Sequence, residues 1–109
     1  MITDVKSFIN TLQHIKNKDS KLICNMCGSK FAVINIIRRA NITFIKTSYL
    51  SANSLNVRQL VSQLIKLDAN NNFILFRING IIEIVNKIQE TDTGYTIINV
   101  ELLNRSTGN

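Results

Sequence analysis

Two cysteines three positions apart are the sharpest chemical feature of the chain. In Cys24-Asn25-Met26-Cys27-Gly28 a tight turn could aim two thiolates at one metal, as in a zinc knuckle. Tetrahedral zinc needs two more nitrogen or sulfur ligands, and the sequence offers only His14. No metal site is therefore assigned within one chain. Cys24 and Cys27 are read first as structural cysteines, because cysteine is a common buried apolar residue. A zinc shared between two chains and redox chemistry are the alternatives. His14 falls off the apolar face of its helix, beside Thr11 and Lys18, and reads as a solvated histidine, since no nucleophile is placed near it. The acids Asp4, Asp19, Asp68, Glu83, Glu90, Asp92 and Glu101 are scattered. Asp19 and Asp68 belong to turns, and Glu83 sits in a strand where it is either functional or simply exposed. There are no paired carboxylates, no glycine-rich phosphate loop and no Gly-x-Ser-x-Gly. The sequence thus implies a protein that is not an enzyme and takes no cofactor.

Charge is more informative. The net charge is +6, and it is unevenly placed. Residues 1–53 carry eight cations against two acids, whereas residues 54–109 carry five of each. Lys16, Lys18 and Lys21 cluster at the turn after the first helix. Lys30 follows the first hairpin turn, Arg38 and Arg39 end the second strand, and Lys46 lies in the third. These residues form the candidate binding surface. It suits an acidic protein surface, with nucleic-acid phosphates as the alternative; solubility of an Ile-rich chain is the bland reading. Only Phe31, Phe44 and Tyr49 lie near in sequence, too few to interleave as a platform for single-stranded bases.

The elements that must position these residues come as a repeated pattern. Val5-Lys6-Ser7-Phe8-Ile9-Asn10-Thr11-Leu12 falls over Val57-Arg58-Gln59-Leu60-Val61-Ser62-Gln63-Leu64 with a shift of 52 positions, which also carries Gly28 onto Gly80. Val5, Phe8, Ile9, Leu12 and Ile15 follow the spacing of one helical face, as do Val57, Leu60, Val61, Leu64 and Leu67. The spacing predicts helices over 4–17 and 56–68. Thr3 and Asn56 are the candidate N-caps, and Gln59 stands at the capping-box position. Three strands follow each helix: 21–27, 29–38 and 42–47, then 73–78, 81–88 and 95–102. Asn79-Gly80 between two apolar runs predicts a hairpin. The expected fold class is α+β: two αβββ repeats, 3–47 and 55–102, with antiparallel sheets and one amphipathic helix each. They share one compact domain over 1–109, with a flexible tail at 103–109.

The segment Leu55-Asn56-Val57-Arg58-Gln59-Leu60-Val61-Ser62-Gln63-Leu64-Ile65-Lys66-Leu67-Asp68, followed by Asn72-Phe73-Ile74-Leu75-Phe76, resembles a capped helix-turn-strand pattern of small phage and prophage α+β proteins. The resemblance centres on residues 55–78. It implies a small protein that binds and inhibits a host factor, and it carries over no functional residue. The abundance of Ile and Asn, whose codons are AT-rich, fits phages, mobile elements and low-GC bacteria alike.

A hydrophobic content of 45% with 18% charged residues and no Pro marks a folding chain rather than a disordered one. The opening Met1-Ile2-Thr3-Asp4-Val5-Lys6 lacks the apolar region of a secretory signal, and no apolar run reaches membrane length. The expected location is the cytoplasm, that of the host if the source is viral, with no membrane partner. Weak alternation in Phe31–Ile37 and Ile81–Val85 implies strands apolar on both faces. Ile34, Ile36, Ile82 and Ile84 would share exposed faces with few charges, so a homodimer is expected to cover them.

Overall fold

The computed structural model describes residues 1–68 and 70–103. Helices α1 (Val5–Gln13) and α2 (Val57–Leu67) and strands β1 (Lys21–Met26), β2 (Ser29–Arg39), β3 (Ile42–Ser48), β4 (Phe73–Ile78), β5 (Ile81–Glu90) and β6 (Tyr95–Leu102) follow in the order α1, β1, β2, β3, α2, β4, β5, β6. The expected tail lies, from Asn104 onward, outside the described residues. Among the described residues no helix is long and apolar enough to cross a membrane.

Each helix forms where the sequence supplies an apolar stripe and a cap. Val5, Phe8, Ile9 and Leu12 are the buried face of α1; Val57, Leu60 and Leu64 are that of α2. The cap of α1 is Asp4 rather than Thr3: its carboxylate accepts a hydrogen bond from the Ser7 N–H at 3.2 Å. The helix stops at Gln13, short of residue 17, where the Lys18 ammonium folds back to donate to the Gln13 and Ile15 carbonyls. A cation there satisfies acceptors that a helix end leaves open. At α2 the expected capping box is complete. Asn56 Oδ1 accepts from the Gln59 N–H at 2.8 Å, and Gln59 Oε1 accepts from the Asn56 N–H at 2.9 Å.

The strands close into one barrel in sequence order. Pairs β1–β2, β2–β3, β4–β5 and β5–β6 are antiparallel, while β3–β4 and β6–β1 are parallel. The β4–β5 hairpin turns at Asn79 and Gly80, whose φ values of 51° and 79° are the two positive angles of a type I′ turn. The interior is filled by side chains from all six strands, among them Leu22, Val33, Ile45, Phe76, Val85 and Ile98, as a barrel this narrow requires. Both helices join the same apolar cluster at the barrel end where β1 and β4 begin, and Phe8 meets Phe76 edge to face with centroids 6.3 Å apart.

This corrects the expected fold class. The chain does not build two αβββ repeats with open antiparallel sheets; it builds a single closed six-stranded barrel with two parallel seams. Hairpin signals report antiparallel neighbours joined by short turns, whereas parallel neighbours need a long crossover and leave no local mark on either strand. The halves are also interlocked. The Ile74 N–H donates to the Thr3 carbonyl and the Val5 N–H to the Asn72 carbonyl, so the lead-in to α1 holds the start of β4. Shifted by 52 residues, Leu22 donates to Leu55 and Val57 to Ser20, so the lead-in to α2 holds the start of β1. The two bulges, between Val33 and Asn35 and between Val85 and Lys87, obey the same shift.

Candidate functional site

Closure of the barrel scatters the seven candidate cations. Lys18 and Arg38 are used as helix-end caps, the latter donating to the Leu67 carbonyl at 3.1 Å. Lys16 is exposed at the turn, where its backbone N–H donates to Glu90. Lys21 and Lys30 line one cavity on the β6–β1 seam, and Arg39 and Lys46 line another near the β3–β4 seam. Of the seven, four thus form two pairs on opposite sides of the six-stranded barrel, and Lys16, Lys18 and Arg38 stand outside both.

The second group gains a member the sequence missed. In the parallel register of β3 and β4, Lys46 stands directly opposite Arg77. Arg39 reaches the same small cavity of about 120 Å³, with Ile37 and Phe44. The Arg77 guanidinium lies 4.9 Å from the centre of the Phe44 ring, in range for a cation–π contact. Among the described residues none of these three cations forms an ion pair; the one salt bridge joins Arg58 to Asp19 at 3.2 Å. Outward positions alternate along both strands, so the same wall continues as Phe44 beside Leu75 and Ile42 beside Phe73. Ile42, Phe73 and Leu75, with Thr3, Ile84 and Leu103, line an apolar groove of about 300 Å³. Phe73 is 51% exposed there. Arg77 belongs to the half of the chain with no net charge, so only the β3–β4 pairing could have drawn attention to it.

The cysteines part company. Cys24 faces the barrel interior and Cys27 is exposed in the turn, in the left-handed region with φ 51°. Burial, and after it the negative charge of Glu83, pushes the Cys24 thiol up to about 12, so it is protonated at neutral pH and is a poor nucleophile or ligand. Among the described residues, no three His, Cys, Asp or Glu side chains gather where they could hold a metal. Glu83 is neither exposed nor at the surface: it is 1% exposed, inside the barrel wall opposite Phe76 and Leu102. His14 is exposed, its Nδ1 2.7 Å from the Asn10 carbonyl.

The β6–β1 seam carries a cavity of about 430 Å³, larger than the two beside the β3–β4 seam. Its floor is Ile23 and Ile97, its rim Lys21, Lys30 and Tyr95, and the Leu50–Ser54 segment forms one side. Compared with known protein families, curated proteins and solved structures, the chain matches none.

Proposed function

We propose that the chain is a non-enzymatic binding module, of phage or mobile-element origin, that modulates a host factor by docking an acidic protein surface on the outer wall of β3 and β4. The observation that carries this reading is Lys46 opposite Arg77, with Arg39 beside them and no carboxylate partner among the described residues. Like charges directly across a strand pair destabilise a sheet. The Phe44 ring offsets part of that repulsion for Arg77 alone, whereas an anionic partner would relieve it for all three cations and bring the apolar groove of Ile42, Phe73 and Leu75 into contact. Acidic residues flanking an apolar anchor are the complementary chemistry. A homodimer is part of the same reading: of the four isoleucines expected at its interface, Ile84 is buried within the chain while Ile34, Ile36 and Ile82 stay partly exposed, and light scattering should give twice the 12.3 kDa chain mass.

The test is capture of partners from cells by the wild type and by an Arg39→Gln, Lys46→Gln, Arg77→Gln variant. The reading expects a protein partner lost with the triple change and kept by a Lys66→Gln, Lys87→Gln control. A partner captured equally by all three sinks the assignment of the wall. If the captured species is nucleic acid, with binding that falls steeply and linearly on a log–log salt plot, the basic nucleic-acid-binding reading replaces it.

A further inference from the structure

The two parallel seams share one backbone plan and carry different chemistry. The 52-residue shift places Lys21 where the other seam has Phe73, Ile23 where it has Leu75, and Lys30 where it has Ile82. The equivalence is physical, because the backbone bonds that anchor the strand starts, Leu22 to Leu55 and Ile74 to Thr3, obey the same shift. The β3–β4 seam folds with apolar residues at these positions, so barrel formation does not require cations there. Lys21 and Lys30 are both exposed, and both border a cavity of about 430 Å³ that contains no acid in its lining. That volume lies within the range that holds small organic ligands.

The lining is divided. Ile23, Ile97, Leu50 and Ala52 give apolar surface, Tyr95 gives a ring that is 45% exposed, and the two ammonium groups give the charge. The segment beside the cavity is closed by a turn, the Ala52 N–H donating to the Tyr49 carbonyl at 2.9 Å, and is tethered to the barrel where it leads into α2. Leu55 donates to the Val33 carbonyl at 2.7 Å, and Lys21 Nζ donates to the Ser54 carbonyl at 3.4 Å. The Thr91 hydroxyl bonds to the Tyr95 carbonyl at 2.7 Å and fixes the opposite rim. The cavity is therefore bounded on both sides by tethered chain rather than by free loops.

We infer that this seam cavity binds a small organic phosphate of mononucleotide size, its phosphate between Lys21 and Lys30 and its ring over Ile23 and Ile97 against Tyr95. Two lysines without a carboxylate match a dianion better than a monoanion, and the apolar floor adds affinity only for a ligand with a flat body. The site lies on the opposite side of the barrel from the docking wall, and neither depends on the other.

Amide NMR of the whole chain tests this with three probes: adenosine monophosphate, adenosine and inorganic phosphate. The expected result is saturable movement of the Lys21, Ile23, Lys30, Ala52 and Tyr95 signals with the nucleotide. Each partial probe should bind at least about tenfold more weakly, since either loses a term worth about 1.4 kcal/mol. Lys21→Gln and Lys30→Gln should each weaken the nucleotide about tenfold or more, while Lys46→Gln on the other wall leaves it unchanged. Signals that follow inorganic phosphate as strongly as the nucleotide would overturn the inference. So would movement spread equally to Arg39, Lys46 and Arg77, nucleotide binding indifferent to both lysine changes, or no movement at all.

Discussion

Alkaline pH should destabilise the protein through one thiol. Cys24 is completely buried in the barrel, and its ordinary value of 9.0 is pushed up to about 12, by burial first and by Glu83 second. The folded state holds the protonated form, whereas the unfolded chain releases the proton near 9.0. The stabilisation is therefore complete below that value and is lost as pH rises towards about 12. Each pH unit inside the window costs about 1.4 kcal/mol, and the whole window about 4 kcal/mol. A domain of ordinary stability has only about 5–15 kcal/mol to lose. The assay is urea unfolding of the wild type and of Cys24→Ala at about pH 8 and about pH 10.5. Lysine and tyrosine ionisation is common to both proteins and cancels in the difference. The variant pays a cavity cost that does not depend on pH, and the advantage of the wild type should shrink by about 2 kcal/mol between the two conditions. Thiol titration with a disulfide reagent gives a second readout: exposed Cys27 reacts in the folded protein and Cys24 only on unfolding. A wild-type advantage that stays flat with pH, or two thiols that react at one rate in the folded state, would refute the placement of Cys24.

Two further predictions concern the bonds that fix the seams and the second helix. Ser20 Oγ donates to the Asn17 carbonyl at 2.9 Å, which leaves Thr96 to donate across the β6–β1 seam to Ser20 Oγ at 2.6 Å. Ser20→Ala strands that buried hydroxyl and should cost about 1–3 kcal/mol, while adding Thr96→Val should cost less than the sum of the single changes; strictly additive urea melts would contradict the bond. Asn56→Ala removes the acceptor for the Gln59 N–H and the framework of the capping box, a loss of about 1 kcal/mol. Asp4→Ala removes one longer bond at 3.2 Å and should cost less, so an equal or reversed order in thermal melts would argue against the box.

What could be read from the sequence was local. Asn79-Gly80 states its own turn, because only residues tolerant of positive φ join two strands so tightly, and Asn56 with Gln59 states its own cap. The end of α1 was misplaced because Ile15 continues the apolar stripe; it remains buried, but past a helix end sealed by Lys18. For Glu83 the structure removes the exposed alternative: a lone acid in a strand is normally solvated, and nothing nearby in sequence says that its face is the inside of a barrel. The parallel pairs, Ile42 with Phe73 and Lys21 with Tyr95, join residues far apart, and no periodicity records which strand lies beside which. The candidate site inherited that gap. Charge counted along the chain put the cations in one half, while closure divided four of them between two walls and recruited Arg77 from the other half.

The interlock explains why the walls are where function can vary. Each helix lead-in is hydrogen-bonded to the first strand of the opposite half, and each buried seam keeps a polar pair at its base: Ser20 with Thr96, and Asn72 donating to Thr43 at 3.3 Å. These contacts face inward or run along the backbone, so they constrain the interior and the strand starts and say nothing about side chains that point outward. Outward positions on β1, β2, β4 and β5 are free of that constraint, and there the two halves differ most: Lys21 against Phe73, Lys30 against Ile82, Asn25 against Arg77. A single barrel whose two seams keep equivalent backbone hydrogen bonds while bearing lysine at one and phenylalanine at the other presents two dissimilar surfaces on opposite sides. One surface is apolar ending in three clustered cations and is suited to a large partner. The other is a bounded cavity with two lysines, suited to a small one. The outward side chains of the two walls do not share the buried contacts that hold the core, so a surface substitution on one wall should leave the fold and the opposite wall unchanged, and the two proposed binding sites should be separable by single surface substitutions.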